Sequence, residues 1–363
     1  MHENLLVGDE KTLCDLAESI ASAPLVAVDT EFVRESTYFP KLCLIQVATD
    51  KVRACVDCLT DIGLEPLLEE LFASGRKWVL HSARQDLEVL WNHSGRMPSS
   101  VIDTQIAAAL VGFPPQLGLQ ELVAETLGVE LDKSHTRTDW TRRPLPEAAL
   151  RYALDDVHHL LPAWGHLRER LVELDRLEWF AEDSRRALEV LPIADATTIF
   201  QRMRGAAALS VDECAAALAL VRWREDKARE LDRPRRWIVS DEVMIRVTKA
   251  MPQSLEQLRA VPELPKRLAA RSGRAMLAAV EASRSPGPRA EARRASPSRK
   301  PDKGELKMLQ AIVKERAEQL GIHPEVLATR RVLSALAAGD APAILATGWR
   351  AAALNRGPDG DFR

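Results

Sequence analysis

Residues 25–32 read Leu-Val-Ala-Val-Asp-Thr-Glu-Phe, an apolar run of strand formers that ends in two carboxylates, Asp29 and Glu31. Residues i and i+2 of a strand point to the same face. The two acids are therefore expected to project side by side from the end of a buried strand. Negative charges that close repel each other, and burial raises the cost of keeping both ionised. A cation between them removes the conflict, and hard oxygen ligands at this spacing suit Mg2+ or Mn2+. A strand that merely ends in a turn, with Asp29 capping the next segment, would be written in the same letters, so the choice rests with the rest of the chain.

On either side of this stretch, the pattern is that of an α/β layer. Leu13, Leu16, Ala17 and Ile20 mark one face of a helix over residues 11–21, and Pro24 closes it. Lys41–Thr49 and Val52–Val56 read as strands, Ile62–Phe72 as a helix and Trp78–Leu80 as a short buried strand. Gln85–Trp91 opens another helix, with Asp86 at its start, and Val101–Ile102 is a brief strand before Asp103. An acid in a first helical turn is favoured by the helix dipole alone. From Thr104 the pattern is helical, Leu119–Leu127 being the clearest piece.

The stretch Leu131–Leu145 is polar and broken by prolines, and is expected to be an irregular loop. It holds Lys133, Arg137, Trp140 and Arg143. Basic residues around an aromatic can follow a phosphate backbone and stack a base; a surface loop with Trp140 tucked beneath it fits equally well. Glu147–Leu171 is predicted as one long helix that Pro162 kinks or ends. Tyr152 and Asp156 are i, i+4 on it and share a face.

At 363 residues the chain predicts two or three domains. With 46% hydrophobic and 28% charged residues it has the composition of a soluble globular protein. No apolar run approaches bilayer length, and Met-His-Glu-Asn does not open a secretory signal. A cytoplasmic location is expected. The five cysteines, sparse and odd in number, are expected to be reduced. Cys55-Val-Asp-Cys58 has zinc or redox spacing, but no second pair completes a four-ligand site, so a strand end accounts for it better.

Residues 1–190 carry 19 Lys and Arg against 32 Asp and Glu, whereas residues 191–363 carry 31 against 21. An acidic half followed by a basic half suggests chemistry in the first and a grip on a polyanion in the second. Solvated helix faces would leave the same split. After about residue 190 the strand signals vanish and helical stretches follow, among them Val211–Leu231, Glu242–Ala250, Leu255–Val261 and Arg274–Ser283. The Pro-, Ser-, Arg- and Lys-rich stretch Ser285–Lys303 is expected to be a flexible linker. Further helices are expected over Glu305–Leu320, Pro324–Ala337 and Trp349–Leu354.

Taken in order, Asp29-x-Glu31, Asp86 in a strand-to-helix turn, and Tyr152-x3-Asp156 resemble the three motifs of the DEDD 3′–5′ exonucleases, tyrosine subclass. Tyr38-Phe-Pro-Lys-Leu-Cys-Leu-Ile-Gln46, Asp103-Thr-Gln-Ile, Leu131-Asp-Lys-Ser and Arg137-Thr-Asp-Trp140 narrow the resemblance to bacterial ribonuclease D. Leu220-Val-Arg-Trp-Arg-Glu-Asp-Lys-Ala-Arg-Glu-Leu-Asp-Arg-Pro234, followed by Met251-Pro-Gln-Ser-Leu, is similar to the HRDC (helicase and RNase D C-terminal) module. A weaker second copy spans about residues 300–358, with Leu327-Ala-Thr-Arg-Arg-Val-Leu as its best segment.

The resemblance implies a ribonuclease-H-like α/β exonuclease domain with a mixed central sheet over residues 1–190. It implies two all-α HRDC-type domains after it, at 208–287 and 300–358. It further implies a hydrolase that removes nucleotides from RNA 3′ ends, with tRNA precursors as typical partners. Asp29, Glu31, Asp86 and Asp156 would hold two divalent ions, Mg2+ or Mn2+, and Tyr152 would orient the attacking water. Arg222, Arg224, Lys227 and Arg229, close together on one predicted helix, join the loop residues as expected RNA contacts. His81 is expected to be structural, and Asp155, beside Asp156, is a possible supporting acid. Two rivals remain at this level: a DNA exonuclease on the same fold, and a non-catalytic RNA-binding protein with a decayed site.

Overall fold

The apolar run that ends in Asp29 and Glu31 forms a strand, Leu25–Val33, inside a six-stranded mixed sheet. The computed structural model describes residues 2–131, 138–189, 195–295 and 301–354. The strands are β1 (His2–Val7), β2 (Leu25–Val33), β3 (Lys41–Ala48), β4 (Val52–Asp57), β5 (Lys77–Leu80) and β6 (Val101–Asp103). They lie in the order β1-β4-β3-β2-β5-β6. β2–β3 and β3–β4 are antiparallel, while β1–β4, β2–β5 and β5–β6 are parallel. β1 was not anticipated from the sequence. It is an edge strand that opens on His-Glu-Asn, and pairing with β4 decides its conformation more than any apolar alternation does.

Alternation along β2 divides two cores. Val26 and Val28 face a layer built with α1 (Glu10–Ala21), α2 (Glu65–Leu71) and α3 (Arg84–Ser94), where Leu13, Leu67, Trp78 and Leu87 are buried. Ala27 faces the other way, toward α4 (Thr104–Leu110), α5 (Leu119–Leu127), α7 (Leu160–Glu173) and α8 (Leu177–Glu189). A third cluster places Leu150, Ala153 and Leu154 of α6 (Glu147–His158) against Cys43, Leu44 and Cys55. Asp29 and Glu31 follow Ala27 by two and four residues and so share its face. The single helix expected over Glu147–Leu171 is two, α6 and α7, which meet at His159. Pro162 falls in the first turn of α7, where its missing N–H leaves no intrahelical bond unmade.

The chain divides into two units. The first comprises Met1–Val33, Lys41–Pro192 and Lys300–Arg363, and the second Arg34–Pro40 and Ile193–Arg299. The second unit is helical: α9 (Ala196–Arg202), α10 (Val211–Glu230), α11 (Arg235–Ile238), α12 (Asp241–Ala250), α13 (Leu255–Arg259), α14 (Lys266–Ala282) and α15 (Pro286–Ala295). α10 starts on a capping box between Ser210 and Glu213. α15 corrects the expectation of a linker from Ser285. Ala292 and Ala295 are buried on it, and small apolar residues supply a helix face that a count of Pro, Ser and Arg overlooks.

Residues 34–40, which join β2 to β3, are held within this second unit. The Tyr38 hydroxyl donates to Glu225 at 3.0 Å, and the Tyr38 and Phe39 backbone N–H groups donate to Asp232 at 3.0 and 3.1 Å. Arg229 and Arg235 lie over the Tyr38 ring, 5.5 and 6.0 Å from its centroid.

The C-terminal helices α16 (Lys303–Leu320), α17 (Pro324–Leu327), α18 (Arg330–Leu336) and α19 (Gly348–Ala353) complete the first unit's core. Trp349 stacks on Trp179 with centroids 4.4 Å apart, its backbone N–H donates to Glu182 at 2.9 Å, and Arg350 pairs with Asp183. Among the described residues no helix is long and apolar enough to cross a membrane.

Candidate active site

β2 delivers Asp29 and Glu31, and α6 delivers Asp156. Ligand oxygens of these three carboxylates lie within 4.8 Å of one another. A break in the β2–β3 ladder falls at this point. Glu31 pairs with Leu44 but Phe32 with Leu42, so Cys43 is the extra residue of a β-bulge. Bulges bend a strand and re-aim its side chains, and they recur beside active sites. Gln46, directly opposite Asp29 in the ladder, is fully buried.

Asp86 arrives from the opposite layer. It lies in the first turn of α3 and is only 6% exposed. Thr30, between the two β2 acids, points to that layer and meets it: its backbone N–H donates to Asp86 Oδ1 at 3.1 Å and its hydroxyl to the same oxygen at 2.6 Å. The turn that carries Asp86 is fixed by Asp103. One Asp103 oxygen accepts from the backbone N–H groups of Ser82 and Gln105 at 3.0 and 2.9 Å, and the other accepts from Ala83 at 3.0 Å. Ser82 has φ +59°, which these bonds hold in place. Thr30 and Asp103 are the residues that sequence reasoning missed as supports. Thr30 stands inside the Asp29-x-Glu31 motif and Asp103 in the separate Asp103-Thr-Gln-Ile stretch, but only the three-dimensional contacts reveal their task.

The electrostatics are those of a site built for positive charge. Burial first, then the charges of Asp86, Asp156 and Glu31, hold the Asp29 carboxyl well above the ordinary range. Glu31 is pushed up to about 8 by burial and by Asp156 and Asp86. Asp156 rises to about 7, through burial and the neighbouring Asp155 charge, although a hydrogen bond from Tyr152 opposes the rise. Asp86 rises to about 6 because it is buried, and Thr30 moderates the rise. Four acids whose ionisation is disfavoured by burial and by neighbouring carboxylates are what a hard cation would relieve. The Tyr152 phenol is also pushed up, by burial and by Asp156, Glu31 and Asp29, so it stays a hydrogen-bond donor. Tyr152 and Asp156 open on a cleft of about 840 Å³ whose walls include Leu119, Gln120, Glu121 and Leu131.

His81 is engaged by Thr104 and by the Leu117 carbonyl, each at 2.9 Å, and burial lowers its pKa. The cysteines are free thiols, and burial raises the Cys58 pKa.

The expected RNA contacts fare differently. Lys133 and Arg137 lie outside the described residues. Trp140 is 5% exposed and packs in the core with Cys43 and Leu150. Arg143 grips both oxygens of Asp57, at 2.6 and 2.5 Å. Arg224 is completely buried and bonded to Asp241 at 2.6 Å. These three side chains are therefore committed to holding the fold. Arg222 pairs with Glu291, Lys227 with Glu230 and Arg229 with Asp226. A helix rich in both signs satisfies its cations with acids one turn away or on the next helix, which a list of basic residues does not register.

Comparison with known proteins gives consistent results. Residues 5–172 match the model of a 3′–5′ exonuclease family, and residues 214–280 match that of the HRDC domain. A ribonuclease D of Xanthomonas oryzae is 38% identical over 91% of this chain and 90% of its own length. One from Acidiphilium cryptum is 34% identical over 96% and 90%. The crystal structure of Escherichia coli RNase D, described as an exoribonuclease involved in structured RNA processing, superposes with a TM-score of 0.82 at 29% identity, covering 98% of this chain and 97% of that one.

Proposed function

The chain belongs to the ribonuclease D family, and from that premise we propose that this 3′–5′ exoribonuclease trims RNA 3′ ends, tRNA precursors in particular, by hydrolysis at two divalent cations. The products are nucleoside 5′-monophosphates. The observation that carries the reading is the convergence of Asp29, Glu31 and Asp156 within 4.8 Å beside the Tyr152 cleft.

The residues fit the cations. Their donors are carboxylate oxygens, they are partly buried, and burial with mutual repulsion disfavours their ionisation until positive charge is supplied. Mg2+ or Mn2+ suits such a set. We assign Asp29, Glu31 and Asp156 as one group of ligands, with Asp86 contributing from the opposite layer. Two such ions, when bound, would supply Lewis-acid polarisation of the scissile phosphate and would lower the pKa of a bound water so that hydroxide is available near neutral pH. The chain's own side chains do the rest. Thr30 and Asp103 hold Asp86 in place. Tyr152, protonated, orients the attacking water by hydrogen bonding and does not take its proton. The cleft beside it has the volume of a small-ligand site and receives the terminal nucleotide.

The test is a time course on 5′-labelled tRNA carrying a 3′ extension, beside single strands of RNA and DNA of matched sequence, with Mg2+, Mn2+ or chelator. Stepwise shortening of RNA from the 3′ end, dependent on metal, is expected. Equal rates on DNA would favour a DNA exonuclease. No release in any metal would mean a decayed site.

A further inference from the structure

A second concave site lies in the helical unit, and of the RNA contacts expected from sequence only Lys227 lines it. A cavity of about 390 Å³ is lined by Lys227, Arg233, Trp237, Arg267 and Arg271, with Leu268 as an apolar wall and no acidic residue in its lining. Trp237 is 60% exposed, the most exposed large apolar side chain among the described residues. It stands on the four-residue helix α11, which buries none of its residues. Among the described residues, no hydrogen bond or ion pair engages the side chains of Arg233, Arg267 or Arg271. In the same unit Arg222, Arg224, Arg229, Arg235 and Arg246 each reach an acid. Lys227 has only the exposed Glu230, a surface pair of small worth. A neighbouring depression shares Lys227, Arg271 and Ser272 and is also lined by Trp223, Asp226 and Glu230.

We propose that this cavity is a binding site for single-stranded RNA, in which Trp237 stacks a base while Arg233, Arg267 and Arg271 neutralise the flanking phosphates. An exposed indole is costly in water, and among unpaired guanidinium groups it matches a ligand that presents an aromatic face and negative charge together. A nucleotide chain does both, and the cavity falls in the size range of nucleotide-scale ligands. An acidic peptide would use the charges but leave the indole bare. The proposal rests on the reading of the chain as an exoribonuclease, and it keeps Lys227 of α10 while adding the unpaired Arg233, Arg267 and Arg271.

The test uses the full-length enzyme. Binding of a long fluorescein-labelled oligouridylate is titrated in chelator at several salt concentrations, and hydrolysis of a trinucleotide is followed with Mg2+. Trp237→Ala should weaken binding by about tenfold, within the range of one missing stack, and Trp237→Phe should restore most of it. Arg267→Glu with Arg271→Glu should flatten the log–log salt slope by about 0.7 for each phosphate no longer neutralised. Trinucleotide kcat and KM should not change in any of them. Unchanged affinity and slope would overturn the site while trinucleotide hydrolysis left the exoribonuclease reading standing. A loss that Phe does not restore, or an equal loss on the trinucleotide, would overturn it as well. If the wild-type enzyme fails on the trinucleotide, the exoribonuclease reading falls, and the proposal with it.

Discussion

Thr30 gives both of its donors to a single oxygen of Asp86, the N–H at 3.1 Å and the hydroxyl at 2.6 Å. The residue between the two β2 acids thus ties them to the third acid across the sheet. Thr30→Val keeps the strand and the N–H but deletes the hydroxyl. Asp86, already raised to about 6, should rise further. The Mg2+ concentration for half-maximal hydrolysis should increase about 10–100-fold, as for other groups that support metal ligands. A metal titration at neutral pH checks this, and an unchanged midpoint would reduce Thr30 to packing.

Tyr152→Phe separates orientation from shape. The ring remains, so RNA affinity should hold, while turnover falls by about 10²–10⁴-fold. The phenol's pKa is pushed up, so its ionisation should not limit the rate near neutrality. Single-turnover rates of the two proteins, measured at saturating enzyme, decide the point; equal rates would make Tyr152 a wall of the cleft.

The acids set the sign of a pH effect on stability. Glu31 at about 8, Asp156 at about 7 and Asp86 at about 6 all lie above ordinary carboxylates, so between about pH 4 and pH 8 the folded chain binds more protons than the unfolded one. Their contribution to stability is present below the unfolded values and is lost as pH rises through the folded ones. In chelator, Tm should fall from pH 5 through pH 8, and Mg2+ should reduce the fall. Asp29→Asn should abolish hydrolysis yet raise Tm by several degrees at pH 8 in chelator, because it removes one of the repelling charges. Melting curves of both proteins across pH test this, and coincident curves would refute it.

Gly112 has φ +111°, and a Cβ placed on it would lie 2.8 Å from the Gly321 carbonyl oxygen. The α4 end thereby admits the backbone at the end of α16 only because a side chain is missing. Gly112→Ala combines an unfavourable φ with a clash against main chain, which cannot rotate aside. A loss on the order of 1–3 kcal/mol from the backbone alone is expected, read as a lower denaturation midpoint in urea.

Much of the catalytic unit could be read from the chain. Strands and acids declare themselves locally, because an apolar run ending in Asp-x-Glu and an i, i+4 Tyr–Asp pair carry their geometry with them. The supports did not, since Thr30 and Asp103 act through partners 56 and about 20 residues away. The structural engagements of Trp140, Arg143 and Arg224 were hidden for a similar reason. Sequence reports that Arg224 is basic but not that Asp241 lies within 2.6 Å of it in the core. The charge split was also an incomplete guide. Residues from Lys300 onward, counted with the basic half, belong to the first unit, where Trp349 stacks on Trp179. A cut near residue 190 would therefore strip the catalytic core of part of its packing.

The Tyr38 loop has a consequence for inheritance and engineering. Residues 193–299 look like a cassette in the linear chain, yet their fold includes seven residues borrowed from between β2 and β3. Glu225 is 3% exposed and receives the Tyr38 hydroxyl, and Asp232 receives two backbone N–H groups of the same loop. A recombination that exchanged only the later segment would leave a buried carboxylate facing a stranger's loop. A transplanted helical unit succeeds only when Arg34–Pro40 travels with it, so the two pieces are expected to change together as lineages diverge.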